Sequence, residues 1–206
     1  MTYTYHFKAG NNNAMSLLLL HGTGGDEHDL VPLATEIVGD DVTLLSPRGD
    51  VNEYGQLRFF TRNPDGTFDQ DDLIKRTNAL ADFIREACRK HDIHPSTLYA
   101  LGYSNGANMI ASLMFLHPDV LAGGILLRSF LPLDNPPQAD VSGKNMLILS
   151  GIVDQILPPE KGQELATKLE QGGANVTFNA RLAGHELRRE DIDDTKAWLK
   201  KLGFDF

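Results

Sequence analysis

Six short apolar runs, Ser16 to Leu20, Val42 to Leu45, Thr97 to Leu101, Gly124 to Leu127, Met146 to Leu149 and Val176 to Phe178, recur along the chain with helix-period segments between them. Continuous runs of Leu, Ile and Val this short describe strands buried on both faces. The clearest helical segment, Asp71 to Lys90, places Leu73, Thr77, Leu80, Ile84 and Ala87 on one side. Others lie near Leu30 to Ile37, Ala107 to Leu116, Glu160 to Glu170 and Asp191 to Leu202. Strands alternating with helices predict an α/β fold, a mostly parallel twisted sheet with helices on both faces. Thr2 to Phe7 alternates polar and apolar and reads as an edge hairpin strand, and Asn11 to Asn13 as a turn. Gly49 to Gln70 carries no strong pattern; it is expected to be a surface loop lining a pocket, too short for a separate cap domain. With 206 residues and no linker or repeat, residues 1–206 are expected to form one domain.

In open parallel sheets the functional site gathers at the carboxyl ends of the strands, so the residues that follow each apolar run come next. Gly102-Tyr103-Ser104-Asn105-Gly106 joins the end of one run to the start of a helical pattern. On such a sharp turn a serine is thrust outward, and a Cβ at either glycine would meet the neighbouring strand or helix. Since a Gly-x-Ser-x-Gly pentapeptide can arise by chance in a chain with 19 glycines, its surroundings carry the argument. His21-Gly22-Thr23-Gly24-Gly25-Asp26 follows the first run as a glycine-rich turn whose N–H groups could face a developing oxyanion. Asp154 follows Met146 to Leu149, and His185 follows the last strand. The order Ser, Asp, His is that of the α/β-hydrolase triad and differs from the chymotrypsin and subtilisin orders.

That chemistry requires each residue type. A serine hydroxyl is a poor nucleophile at neutral pH, so His185 is the expected base and Asp154 the group that orients it. Asp134 and Asp140 are weaker rivals, because they lie in a proline-rich stretch rather than directly after a strand. The N–H groups of Thr23 and Asn105 are the expected oxyanion donors, each typically worth about 3 kcal/mol.

The chain resembles the small, lidless carboxylesterase and phospholipase-like branch of the α/β-hydrolases, and most closely the bacterial hydrolases associated with quinone and hydroquinone stress. The resemblance is carried by Leu20 to Glu27, Ser46-Pro47-Arg48-Gly49, Arg58-Phe59-Phe60, Gly102 to Ala107, Gly151-Ile152-Val153-Asp154 and Gly184-His185. It implies an α/β-hydrolase fold without a separate cap domain, and hydrolysis of short to medium acyl esters through an acyl-enzyme with Ser104, Asp154 and His185. Acyl thioesterase or lysophospholipase-like activity on the same triad is the alternative. Arg58-Phe59-Phe60 stands where relatives in the larger family often carry an Arg-Ser-Trp-Tyr-like segment, so a long-chain acyl channel is not carried over. Phe59 and Phe60 are expected instead to close a compact pocket together with Ile156 and Leu157.

Composition narrows the partners. A formal charge of -9 disfavours nucleic acid and anionic lipid surfaces, which leaves a small-molecule ester. The lone Cys88 permits no internal disulfide and suits a reducing compartment; with no apolar run of membrane length, a cytoplasmic location without stable membrane association is expected. An apolar rim around an unlidded site is compatible with a homodimer. No cofactor and no metal are expected: the glycine turn lacks a third dinucleotide-fingerprint glycine where Glu27 stands, and His21, Asp26 and His28 have no second ligand set. A ligand receptor that retains the triad is the non-enzymatic alternative.

Overall fold

The computed structural model describes residues 3–206, and Asn12 and Asn13 by their backbone only. The six apolar runs become strands β2 (Asn12–Leu20), β3 (Val42–Pro47), β6 (Leu98–Tyr103), β7 (Gly123–Leu127), β8 (Asn145–Gly151) and β9 (Asn175–Arg181), and the alternating N-terminal segment gives β1 (Tyr5–Lys8). They form one seven-stranded sheet in the order β1-β3-β2-β6-β7-β8-β9. Only β1 runs antiparallel to its neighbour. Side chains alternate across the sheet, so the consecutive leucines of β2 serve two cores. Leu17 and Leu19 pack with Ala34 and Ile37 of α1 (Val31–Val38) and Trp198 of α5 (Arg189–Lys201). Leu18 and Leu20 join the opposite core, with Leu73 and Leu80 of α2 (Gln70–His91), Ile110 of α3 (Asn105–Leu116) and Leu165 of α4 (Pro159–Gln171). This is the α/β-hydrolase arrangement, and no separate cap covers the sheet among the described residues.

Helix α2 starts where its sequence favours a start. Asp69 caps it by accepting from the Asp72 N–H, Asp71 and Asp72 occupy the first turn, and Arg89, Lys90 and His91 the last. Opposite charges thus sit at opposite ends of the helix dipole.

Three expectations are corrected. The edge strand β1 pairs with β3 rather than forming a hairpin with β2, and Thr2 lies outside the described residues. The segment at Asn11 to Asn13 is largely strand, because β2 starts at Asn12. Gly49 to Gln70 is not unpatterned loop throughout: β4 (Val51–Glu53) and β5 (Gln56–Arg58) make a small antiparallel hairpin, and an isolated bridge joins Arg62 to Phe68. Three-residue strands are too short to show as periodicity.

At the centre, β6 turns into α3 so tightly that a Cβ on Gly106 would lie 1.9 Å from the Leu20 carbonyl oxygen of β2. A Cβ on Gly102 would lie 2.7 Å from Ile110 Cδ1 and 2.8 Å from the Ala107 nitrogen. Gly106→Ala is therefore expected to lower the unfolding free energy by about 2–3 kcal/mol, the cost of overpacking against backbone. A urea midpoint equal to that of the parent chain would show instead that α3 can lift from β2 at little cost.

Candidate active site

Between β6 and α3, Ser104 has φ 50° and ψ -110°, a left-handed conformation that costs a non-glycine residue about 1–3 kcal/mol. It is held there by its own N–H, which donates to the Leu127 carbonyl at 2.9 Å, and by its carbonyl, which accepts from the Asn108 N–H at 3.0 Å. The hydroxyl then meets His185, whose Nε2 lies 2.9 Å from Ser104 Oγ. On the other side of the ring, His185 Nδ1 lies 2.8 Å from Asp154 Oδ2. An ionised carboxylate can only accept, so Nδ1 carries the proton and Nε2 offers its lone pair to the serine hydroxyl. The second Asp154 oxygen accepts from the Ile156 and Leu157 N–H groups at 2.8 and 2.9 Å, which fixes the carboxylate orientation. Asp134 and Asp140 are exposed and apart from this set; Asp140 accepts from the Ser142 N–H.

Three sequence-distant loops are locked around the histidine. The Asp154 loop leans on the His185 loop through the Ile152 and Val153 N–H groups, which donate to the Arg181 and Ala183 carbonyls. A Cβ on Gly151 would lie 2.3 Å from the Gly184 carbonyl oxygen, so only glycine permits that approach. Tyr103 donates its hydroxyl to the His185 carbonyl at 2.9 Å. The sequence gives no hint of this role beyond the tyrosine's place beside Ser104.

Arg128, fully buried just past β7, completes the clamp. It donates to the carbonyls of Gly184 and Glu186 on either side of His185, at 3.0 and 2.9 Å, and to both oxygens of Asp191 at 3.0 and 2.8 Å. Asp191 in turn accepts from the Arg188 N–H, anchoring the start of α5. Sequence reasoning missed Arg128, although inspecting the residues just after each apolar run leads directly to it.

On the opposite flank, the glycine turn after β2 presents the N–H of Thr23, and α3 presents the N–H of Asn105 at its first position. Neither has an acceptor among the described residues. The turn is pinned from three sides. His21 Nδ1 donates to the Gly22 carbonyl at 2.7 Å and its Nε2 accepts from the Gly49 N–H at 2.9 Å; burial pushes its pKa below the usual histidine value, which keeps Nε2 an acceptor. With both ring nitrogens engaged, His21 offers no lone pair to a metal. The Gly24 N–H donates to the Leu57 carbonyl at 2.9 Å. Arg48 donates to both Glu27 oxygens at 2.5 and 2.6 Å and holds that carboxyl down at about 2.

Two asparagines on the first turn of α3 anchor the remaining walls. Asn105 Oδ1 accepts from the Phe59 N–H at 2.8 Å, and Asn108 Oδ1 accepts from the Ser129 hydroxyl and the Phe130 N–H at 3.0 and 3.2 Å. A cleft of about 400 Å³ lies over Ser104, with Ile156, Leu157, Phe68 and Phe130 among its walls. The expectation for Phe59 and Phe60 is corrected: both are fully buried and do not line the cleft. They support it from behind, Phe59 against His21 and Phe60 edge-on to Phe68, whose ring in turn packs on Phe130. The alternation of β5 is over by Arg58, so sequence alone does not separate core from cleft at these positions.

Two predictions follow from these anchors. Glu27 has its folded pKa depressed, so its contribution to stability is complete above about 4.5 and is lost as pH falls towards about 2. Glu27→Gln should be less stable at neutral pH and show a flatter acid dependence over that window in thermal melts; parallel curves for the two proteins would refute the link. Arg128→Met strands the buried Asp191 carboxylate and should cost about 3–5 kcal/mol by urea unfolding. A smaller loss, under about 1 kcal/mol, would mean the clamp is dispensable.

Comparison with known proteins identifies the family and the fold. A family model described as Phospholipase/Carboxylesterase matches residues 7–203. Hydrolase MhqD of Bacillus subtilis (strain 168) is 40% identical over 185 residues, covering 90% of this chain and 92% of the relative. The crystal structure of a Bacillus cereus carboxylesterase superposes with a TM-score of 0.92 at 38% identity, over 97% of this chain and 94% of the other. A carboxylesterase from Mesorhizobium loti gives 0.87 at 36% identity, over 92% and 90% of the two chains. With its fold, its match along nearly the whole chain and its structural neighbours in agreement, this chain belongs to the phospholipase/carboxylesterase family of hydrolases.

Proposed function

We propose that the chain is a cofactor-independent serine carboxylic-ester hydrolase acting on short to medium acyl esters in the cytoplasm. The observation that carries the reading is His185, bridging Ser104 Oγ and Asp154 Oδ2 at 2.9 and 2.8 Å from opposite ring nitrogens. Ser104 Oγ attacks the ester carbonyl carbon while its proton passes to His185 Nε2. Asp154 stabilises the resulting imidazolium and keeps it oriented. The oxygen anion of the tetrahedral intermediate accepts from the N–H groups of Thr23 and Asn105, which have no acceptor among the described residues. As the intermediate collapses, the alcohol leaves with the proton from Nε2 and the acyl group stays on Ser104. Water then attacks the acyl-enzyme, giving its proton to His185, and a second collapse returns that proton to Ser104 Oγ and frees the acid.

The cleft has no roof among the described residues, and Ile156 on its rim is 69% exposed. Substrate therefore enters without a lid opening, and a cleft of about 400 Å³ has room for a short or medium acyl group.

Ser104→Ala, His185→Ala and Asp154→Asn should each lower kcat towards a short aryl ester by about 10⁴-fold or more with the fold intact by circular dichroism. A fluorophosphonate should label the parent chain at Ser104 and leave Ser104→Ala unlabelled. Retention of most activity by Ser104→Ala would overturn the serine mechanism, and labelling without turnover of any ester or thioester would favour a receptor that keeps the triad.

A further inference from the structure

The chain carries 28 acidic against 19 basic side chains, yet no carboxylate lines the cleft over Ser104, and two arginines do. Arg58 is 4% exposed. Its Nε donates to the Phe60 carbonyl at 3.2 Å and its Nη1 to Thr23 Oγ1 at 3.0 Å, while its Nη2 has no partner among the described residues. The guanidinium is otherwise nearly buried, so Nη2 is the edge left open in the cleft beside the reacting centre, where an anionic group can accept from it. Burial is the main influence on its pKa and acts downwards, as does neighbouring Arg62. The nearby counter-charge is Glu53, 3.7 Å from Arg58 Nη1. That carboxylate is already taken by Arg62, which donates to it through both Nε and Nη2. Two guanidiniums thus share one carboxylate, and a net positive charge faces the cleft.

From this we propose that the enzyme is specific for esters whose acyl part carries a carboxylate, accepted by Arg58 with Arg62 beside it. The proposal rests on the Ser104 mechanism above. The acyl side follows from the strand order. Asp154 and His185 follow β8 and β9, on one side of β6, so the alcohol that takes its proton from His185 leaves on that flank. Thr23, Arg58 and Arg62 follow β2 and β3, on the other side of β6. Because Arg58 is bonded to the side chain of an oxyanion-donor residue, it stands beside the carbonyl end that stays on Ser104. Arginine suits this task, since its planar fork can give a carboxylate a charge-assisted bond while holding Thr23 with its other edge.

The test compares ethyl hydrogen succinate with its uncharged isostere, ethyl 4-methylpentanoate, by ethanol release at neutral pH. The parent chain should favour the succinate by about tenfold or more in kcat/KM, the discrimination expected of a hydrogen bond to a charged group. Arg58→Met should reduce that ratio to about one or below, and Arg62→Gln should reduce it in part. Glu53→Gln, which leaves both guanidiniums without their shared counter-charge, should raise the ratio, a change that loss of packing would not produce. It also keeps the test decisive if Arg58→Met fails to fold. Equal rates for the two esters in the parent chain, or a Glu53→Gln ratio that falls, would overturn the proposal and leave the serine mechanism standing. Hydrolysis of neither ester, together with no fluorophosphonate labelling of Ser104, would sink the mechanism itself. Preference for acetoxyacetate, which carries its carboxylate on the alcohol side, over the succinate would overturn the acyl-side placement.

Discussion

The contact between Gly106 and the end of β2 constrains everything else in the molecule. Because α3 begins with its backbone pressed on the Leu20 carbonyl, the chain leaving β6 has almost no length in which to turn, and Ser104 takes up the bend in a left-handed conformation. The same closeness sets the first turn of α3 against the Leu20 and His21 carbonyls, where the glycine turn after β2 begins, so one packing contact positions both the serine and the start of the turn. Strain at Ser104 is sustained by the burial of α3, which is apolar on nearly every side and wedged between the sheet and α2.

Sheet order then decides which loops can meet. With β6 in the middle, the turns after β2 and β3 fall on one side of Ser104 and those after β7, β8 and β9 on the other. Loops are the most mobile parts of such folds, and these are fixed by buried polar groups that reach backbone carbonyls and N–H groups as well as side chains. Asn105 and Asn108 tie α3 to the Phe59 and Phe130 segments, and Arg128 ties β7 to the carbonyls on either side of His185. A backbone target has a practical consequence: Glu186 is held through its carbonyl, so its side chain is free to pair with Arg188 at the surface.

What sequence makes legible here is whatever has a period or an order. The six apolar runs are strands because burial on both faces demands continuous Leu, Ile and Val, and the Ser, Asp, His order survives because loops after parallel strands converge on one edge. Elements made by long-range pairing are not legible in the same way. The β4–β5 hairpin is too short to show a period, the partner of β1 is a choice between two equally apolar strands, and Phe59 and Phe60 look the same in sequence whether they line a cleft or back it. Arg128 illustrates a different gap. Its position after β7 is visible, but that its charge is buried against Asp191, 63 positions later, depends on a contact that no local pattern encodes.

Net charge and local charge also have to be kept apart. A surplus of acid over the whole surface acts at distances beyond about 10 Å, where salt screens it, and there it repels polyanions. Inside the cleft the relevant lengths are a few ångströms and the medium is partly desolvated, so Arg58, Arg62 and Glu53 outweigh the distant carboxylates. An anionic substrate would therefore meet weak repulsion on approach and strong attraction once bound. Salt relieves the first and barely touches the second, because a guanidinium as buried as that of Arg58 is poorly reached by counter-ions. The overall acidity of this chain thus acts at long range and against polyanions in general, while the placement of Arg58, with its shared counter-ion and its bond to Thr23, acts at contact range inside the cleft.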